Sequence, residues 1–101
     1  MNHWIKLGFA VTLSALLTGC GKDDIAPPKD TPPAEIFGQA CQACHGENGG
    51  GKFGFLLKIA GTDDEVDEIT HRIHEGGWIM PRFPNISEAQ RQALAMWLKS
   101  L

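Results

Sequence analysis

The sequence predicts an all-α domain. Three stretches carry apolar residues at helical spacing, no segment alternates in the manner of a strand, and Gly or Pro pairs punctuate the intervals between the stretches. A chain of 101 residues holds one domain at most. Its formal net charge of −3 gives no broad basic surface for nucleic acid.

The first residues read as a targeting segment. Lys6 supplies a positive start, and Leu7 to Leu17 form an almost wholly apolar run. That run is shorter than the roughly 20 residues a spanning helix needs and has the length of a signal-peptide core. It ends in Leu17-Thr18-Gly19-Cys20, which resembles the lipobox of bacterial lipoproteins. The resemblance implies cleavage before Cys20 and a diacylglycerol on its thiol. Residues 1–19 are therefore expected as a lipoprotein-type signal peptide, and residues 20–33 as a lipidated cysteine with a proline-rich tether. The folded domain is expected over 34–101. Four of the six prolines fall in the tether. At about 3.1 Å per residue in an extended polyproline conformation, thirteen residues reach up to roughly 40 Å, so its expected role is passive spacing.

The first helix is expected from Thr31 or Pro32 to Cys44. Proline is tolerated in a first turn, where its missing N–H has no partner to lose. Ile36, Phe37, Ala40, Cys41 and Cys44 fall on one face. The second helix is expected from Asp63 to Glu75, capped by Thr62 or Asp63. Its carboxylates sit in the first turns, where they favour the helix dipole, and Gly76-Gly77 ends it. Val66, Ile69 and Ile73 form its apolar stripe. The third is expected from Ser87 to Leu101, with Ser87 and Gln90 in the positions of a capping box. Ala93, Leu94, Trp97, Leu98 and Leu101 form its stripe, and Met96 is assigned to its core.

The chemistry sits at the end of the first helix, in Cys41-Gln42-Ala43-Cys44-His45. C-x-x-C-H is the attachment signature of a c-type haem. Two thiols three residues apart can each form a thioether with one porphyrin, and the following imidazole can reach the iron. Only three cysteines exist, one for lipid and two for haem, so no disulfide framework is needed. Export agrees with this, because covalent haem attachment in bacteria takes place outside the cytoplasmic membrane. A domain of about 68 residues is also marginal without a staple, and a covalent haem supplies one.

The candidate sixth ligand is Met80, between Gly76-Gly77 and Pro81, with Pro84 beyond. A thioether is a soft, neutral ligand that raises the reduction potential. His71 and His74 on the second helix are weaker candidates. Trp78 and Arg82 are candidate donors to haem propionates. Three other patterns are set aside. Gly46 to Lys52 fits a phosphate loop on paper, but Phe53 stands where Ser or Thr is required and no strand precedes it. A thioredoxin-like dithiol requires a βαβ unit, and a zinc site requires further ligands.

Together these features resemble a small class I cytochrome c of bacteria, over essentially all of Ile36 to Leu101. The resemblance rests on Phe37 four residues before the first motif Cys, C-x-x-C-H at 41–45, and the Gly-rich turn after His45. Met80-Pro81-Arg82-Phe83 and the terminal Leu94-Ala95-Met96-Trp97-Leu98 complete it. It implies a compact fold of three or so helices around one covalently bound haem c, with the first and last helices crossing at Phe37 and the Leu94/Trp97 pair. It implies Cys41 and Cys44 as haem attachments and His45 and Met80 as axial ligands. The function implied is one-electron transfer between a donor and an acceptor protein. Two filled axial positions suppress oxygen and peroxide chemistry, so no enzyme is expected. With the lipid on Cys20, the carrier is expected on the extracytoplasmic side of a membrane. The alternative is a haem-based ligand binder or sensor with a labile sixth position. Many members of the family have a Pro after the haem His, with a nearby carbonyl accepting from the imidazole. Lys52 to Gly61 contains no Pro, which leaves the partner of His45 open.

Overall fold

The computed structural model describes residues 23–101, and over that range the domain is helical. In chain order the elements are α1 (Pro33–Ala40), α2 (Gln42–His45), a 3₁₀ turn (Glu47–Gly49), α3 (Val66–Glu75) and α4 (Glu88–Ser100). A single antiparallel bridge between Lys52 and Leu56 is the nearest approach to a strand among the described residues. The signal segment and Cys20 lie outside the described residues.

Helix α1 starts as the prolines dictate. Pro32 caps it in an extended conformation and Pro33 follows inside the first turn, where a missing N–H costs nothing. The expected single helix to Cys44 is instead two. Cys41, at φ −121° and ψ −28°, leaves helical geometry and serves as both the end of α1 and the cap of α2. The break falls at the first residue of the C-x-x-C-H motif, so Cys41 belongs to neither helix and the rest of the motif to α2.

Helix α3 begins three residues later than expected. The Thr62 hydroxyl accepts the Asp64 N–H in a local turn, so Asp63 to Glu65 stay outside the helix. Only Asp67 and Glu68 occupy its first turn. Gly76 closes it at φ +74°, and a Cβ there would lie 2.8 Å from the Met80 carbonyl oxygen, so only glycine lets the Met80 loop fold back this closely. Helix α4 begins at the expected capping box. Ser87 Oγ accepts the Gln90 N–H at 3.2 Å, and Gln90 Oε1 accepts the Ser87 N–H at 3.1 Å.

The core lies where α1 and α3 pack against α4. Ile36, Phe37 and Ala40 from α1 meet Leu94, Ala95 and Leu98 from α4, with Ile69 and Ile73 from α3. Phe37 and Trp97 contact at a ring-centroid distance of 5.2 Å and an interplanar angle of 53°, the crossing implied by the sequence resemblance. Phe83 and Ile86, in the loop before α4, are fully buried alongside the helical core residues. Met96, assigned to the core, is 64% exposed. It stands two residues from both Leu94 and Leu98, roughly 200° around a helix of 3.6 residues per turn, and so faces away from their stripe.

Residues 23–32 do not stand off from the domain as a spacer. Ile25 is half-buried against the core. Gln90 Nε2 donates to the carbonyls of Pro27 (3.1 Å) and Pro28 (2.9 Å), and Asn85 Nδ2 donates to that of Asp24 (3.3 Å). Proline residues have free carbonyls to offer whether or not they are docked. What binds these is a glutamine some sixty residues away in the chain.

Candidate haem site

The site is built from the α1–α2 junction upward. Cys41 is buried where the two helices meet. Cys44 and His45 follow in α2, both half-buried. Burial alone pushes the Cys41 thiol up to about 11. That direction is opposite to the lowered thiol pKa of a dithiol redox site.

The turn after His45 folds back tightly. Gly46 has φ +77°, and a Cβ on it would lie 2.1 Å from the Gly51 carbonyl oxygen. The Gly51 N–H donates to the His45 carbonyl at 2.7 Å, closing the turn. The following loop, bridged at Lys52 and Leu56, carries Leu57 at φ +60°, a left-handed conformation that costs a leucine about 1–3 kcal/mol. That conformation accompanies the contact the sequence left open: the Leu57 carbonyl lies 2.8 Å from His45 Nδ1. A carbonyl only accepts, so Nδ1 carries the proton and donates it. The tautomer is thereby set, with the lone pair on Nε2, and the ring orientation is fixed. A leucine carbonyl fills the role, so no Pro is needed.

Cys41, His45 and Met80 line one cavity of about 670 Å³. Phe37, Ile69, Ile73, Leu94 and Leu98 form much of its apolar wall, with Leu57 and Ile59 from the loop after the motif. The thiol and imidazole come from the α1–α2 junction and the thioether from a loop 35 residues beyond His45. Met80 is half-buried and packs on the core. Its loop is held by the Gly77 N–H on the Met80 carbonyl (2.9 Å) and the Phe83 N–H on the Ile73 carbonyl (2.9 Å).

The rival ligands separate. His74 is turned to Glu75, with Nδ1 2.9 Å from Oε1, and this hydrogen bond holds the Glu75 carboxyl below its ordinary value. His71 is exposed at the rim of the cavity. Met96 faces solvent. Trp78 lines the cavity, whereas Arg82 lines a separate depression with Asp23 and Asp24. No group of three or more His, Cys, Asp or Glu suited to a bare metal ion exists among the described residues. No helix of the described residues is long and apolar enough to cross a membrane.

Residues 28–98 match the family described as "Cytochrome C oxidase, cbb3-type, subunit III". The chain belongs to this family of c-type cytochromes. Among curated proteins it is similar to cytochrome c-550 of Bacillus subtilis (strain 168), 43% identical over 63 residues, covering 60% of this chain and 52% of that protein. The chain thus spans about half the length of that relative. Among solved structures it is similar to cytochrome CL from the marine methylotrophic bacterium Methylophaga aminisulfidivorans MPT. The TM-score is 0.49 and the identity 20%, over 67% of this chain and 51% of that one.

Family membership brings one covalently bound haem c. Cys41, His45 and Met80 fit it together, while Cys44 follows in α2 and is not among the residues that line the cavity. The cavity volume falls in the range of about 300–1,000 Å³ usual for cofactor sites. Its wall is mostly apolar, and Trp78 and Ile79 border it with their side chains exposed, as suits a large flat apolar group lying against them. Imidazole and thioether are a familiar neutral ligand pair for haem iron in cytochromes c.

Proposed function

We propose that this chain is an exported, lipid-anchored one-electron carrier. In it Cys41 and Cys44 hold the haem by thioether bonds, His45 and Met80 ligate the iron, and Cys20 bears the lipid. The observation that carries the reading is the convergence of Cys41, His45 and Met80 on a single apolar cavity. When bound, the haem supplies a ferric–ferrous couple that takes up and releases one electron at a time.

The chain's residues set the terms of that exchange. Leu57 locks the His45 ring through Nδ1, so the imidazole is oriented by the protein and would be ready to ligate iron through Nε2. Phe37, Ile69, Ile73, Leu94 and Leu98 keep the wall of the site apolar and exclude water from it, which would favour the less charged state of a bound haem. Met80 would supply a neutral thioether from the opposite segment of the cavity lining and would leave no open iron position for oxygen or peroxide. Trp78 and Ile79, exposed and lining the cavity, would offer a redox partner an apolar approach to a bound haem. The carboxylates at Asp63, Asp64, Glu65, Asp67 and Glu68 favour a basic redox partner, with an association rate that falls as salt rises.

Met80→Ala in the holoprotein tests the ligand set. The potential is expected to fall by on the order of 0.1–0.3 V, within the ~0.8 V that axial ligands span. The ferrous form is expected to bind carbon monoxide, which the parent protein resists. Rapid carbon monoxide binding by the parent, with no change on substitution, would replace the carrier with a haem-based ligand binder.

A further inference from the structure

The lipid reading leaves open how the domain sits at the membrane, and the docked strap at 23–32 answers it. Gln90 is 7% exposed, and every polar hydrogen and oxygen of its side chain is engaged. Oε1 takes the Ser87 N–H in the helix cap, while Nε2 donates to the carbonyls of both Pro27 and Pro28. Thr31 ties the strap to itself, through its N–H and its hydroxyl on the Pro28 carbonyl at 3.0 and 2.8 Å. Ile25 is pinned against the core, and Asn85 holds the carbonyl of Asp24. The chain is therefore latched to the domain from Asp24 to Pro28, with Thr31 turning it into α1.

The latch ends at a specific place. Asp23 and Asp24 line a surface depression with Pro81, Arg82, Pro84 and Asn85, the segment that directly follows Met80. Only Gly21 and Lys22 separate Asp23 from Cys20. Three Cα steps span about 10 Å at most, against roughly 40 Å for the whole of residues 21–33 if all were free.

Resting on the anchoring of Cys20 proposed above, we infer that the strap is a rigid mount. It holds the edge of the domain at Pro81–Asn85, next to the Met80 loop, directly against the lipid headgroups. The domain does not swing on a long leash. Its partner surface on this side is the bilayer itself, and a redox partner must reach the haem site from the sides left clear.

The test uses the full lipidated holoprotein in phosphatidylcholine vesicles carrying a trace of headgroup-labelled lipid whose emission the haem absorbs. Quenching reports the distance from haem to membrane surface. A ten-residue Gly-Ser insert between Lys22 and Asp23 adds about 17 Å of root-mean-square reach, and it is expected to cut quenching to roughly half or less. Gln90→Glu separates the latch from the helix cap. Glutamate at this position still accepts the Ser87 N–H but cannot donate to Pro27 and Pro28. It is expected to lower quenching toward the value of the insert, with the helix content by circular dichroism retained. If the parent, insert and Gln90→Glu proteins quench alike, the strap is undocked and the mount is overturned. Mass spectrometry of the Cys20 peptide keeps the two claims apart. Absence of lipid there overturns the anchor and the mount together, whereas a lipidated Cys20 with quenching indifferent to the insert overturns the mount alone.

Discussion

Phe37 is the residue on which the helix crossing turns, and its truncation has a calculable cost. It is 1% exposed, packs from α1 against α4, borders the cavity and meets Trp97 at 5.2 Å. Phe→Ala in a packed core costs about 3–5 kcal/mol, of which the aromatic pair accounts for roughly 0.5–1.5. A domain of this size has a total stability of about 4–12 kcal/mol, so the alanine variant is expected near the edge of folding. Phe37→Leu keeps most of the volume and isolates the ring, with an expected cost of about 1–1.5 kcal/mol. The assay is guanidinium unfolding of the holoprotein followed by far-ultraviolet circular dichroism, with the slope checked for constancy. Trp97→Leu and the double variant complete a cycle, with an expected coupling of about 0.5–1.5 kcal/mol. A loss below about 0.3 kcal/mol for Phe37→Leu, together with zero coupling, would refute the claim that this ring contact secures the crossing.

Three further outcomes follow from the same geometry. Gly46→Ala would place a Cβ 2.1 Å from backbone oxygen at φ +77°, and it is expected to abolish recovery of holoprotein on expression, at a cost of about 3 kcal/mol or more. Ser87→Ala removes the acceptor for the Gln90 N–H and is expected to cost about 1 kcal/mol, read as a fall in melting temperature of roughly 4–8 °C, with Ser87→Thr largely restoring it. Met96→Ser is expected to change stability by no more than about 0.5 kcal/mol and to leave the visible spectrum unaltered, because Met96 faces solvent.

What the sequence disclosed was whatever is decided locally. The capping box at Ser87 and Gln90 and the stripe of Leu94 and Leu98 are patterns within one helix, and α4 follows them closely. The C-x-x-C-H motif is likewise local, and its Cys41 and His45 border the cavity beside the first helix. The break at Cys41 and the late start of α3 were harder to read. Each is a contest between a helical turn and a competing local geometry, and at Thr62 a single hydroxyl decides it. Met96 was misassigned because an apolar residue inside a helix was counted without its angle from the stripe. The partner of His45 is a backbone carbonyl, which carries no residue-type signal. It is presented by a leucine in a conformation that composition gives no reason to expect. The strap was hidden for a related reason. A proline-rich run looks the same whether it is free or docked, and the difference lies in the hydrogens of a distant glutamine. Phe83 and Ile86 support the Met80 loop without any periodic pattern to announce them.

The most direct test of the central claim is the visible spectrum of the purified protein, oxidised and then reduced with dithionite, after acid–acetone extraction. Sharp low-spin bands that survive extraction in both states are the result expected of covalent haem held by His45 and Met80. Loss of the absorbance on extraction would contradict covalent attachment through Cys41 and Cys44. A high-spin spectrum that survives it would contradict ligation by Met80 and turn the site from electron transfer to ligand binding.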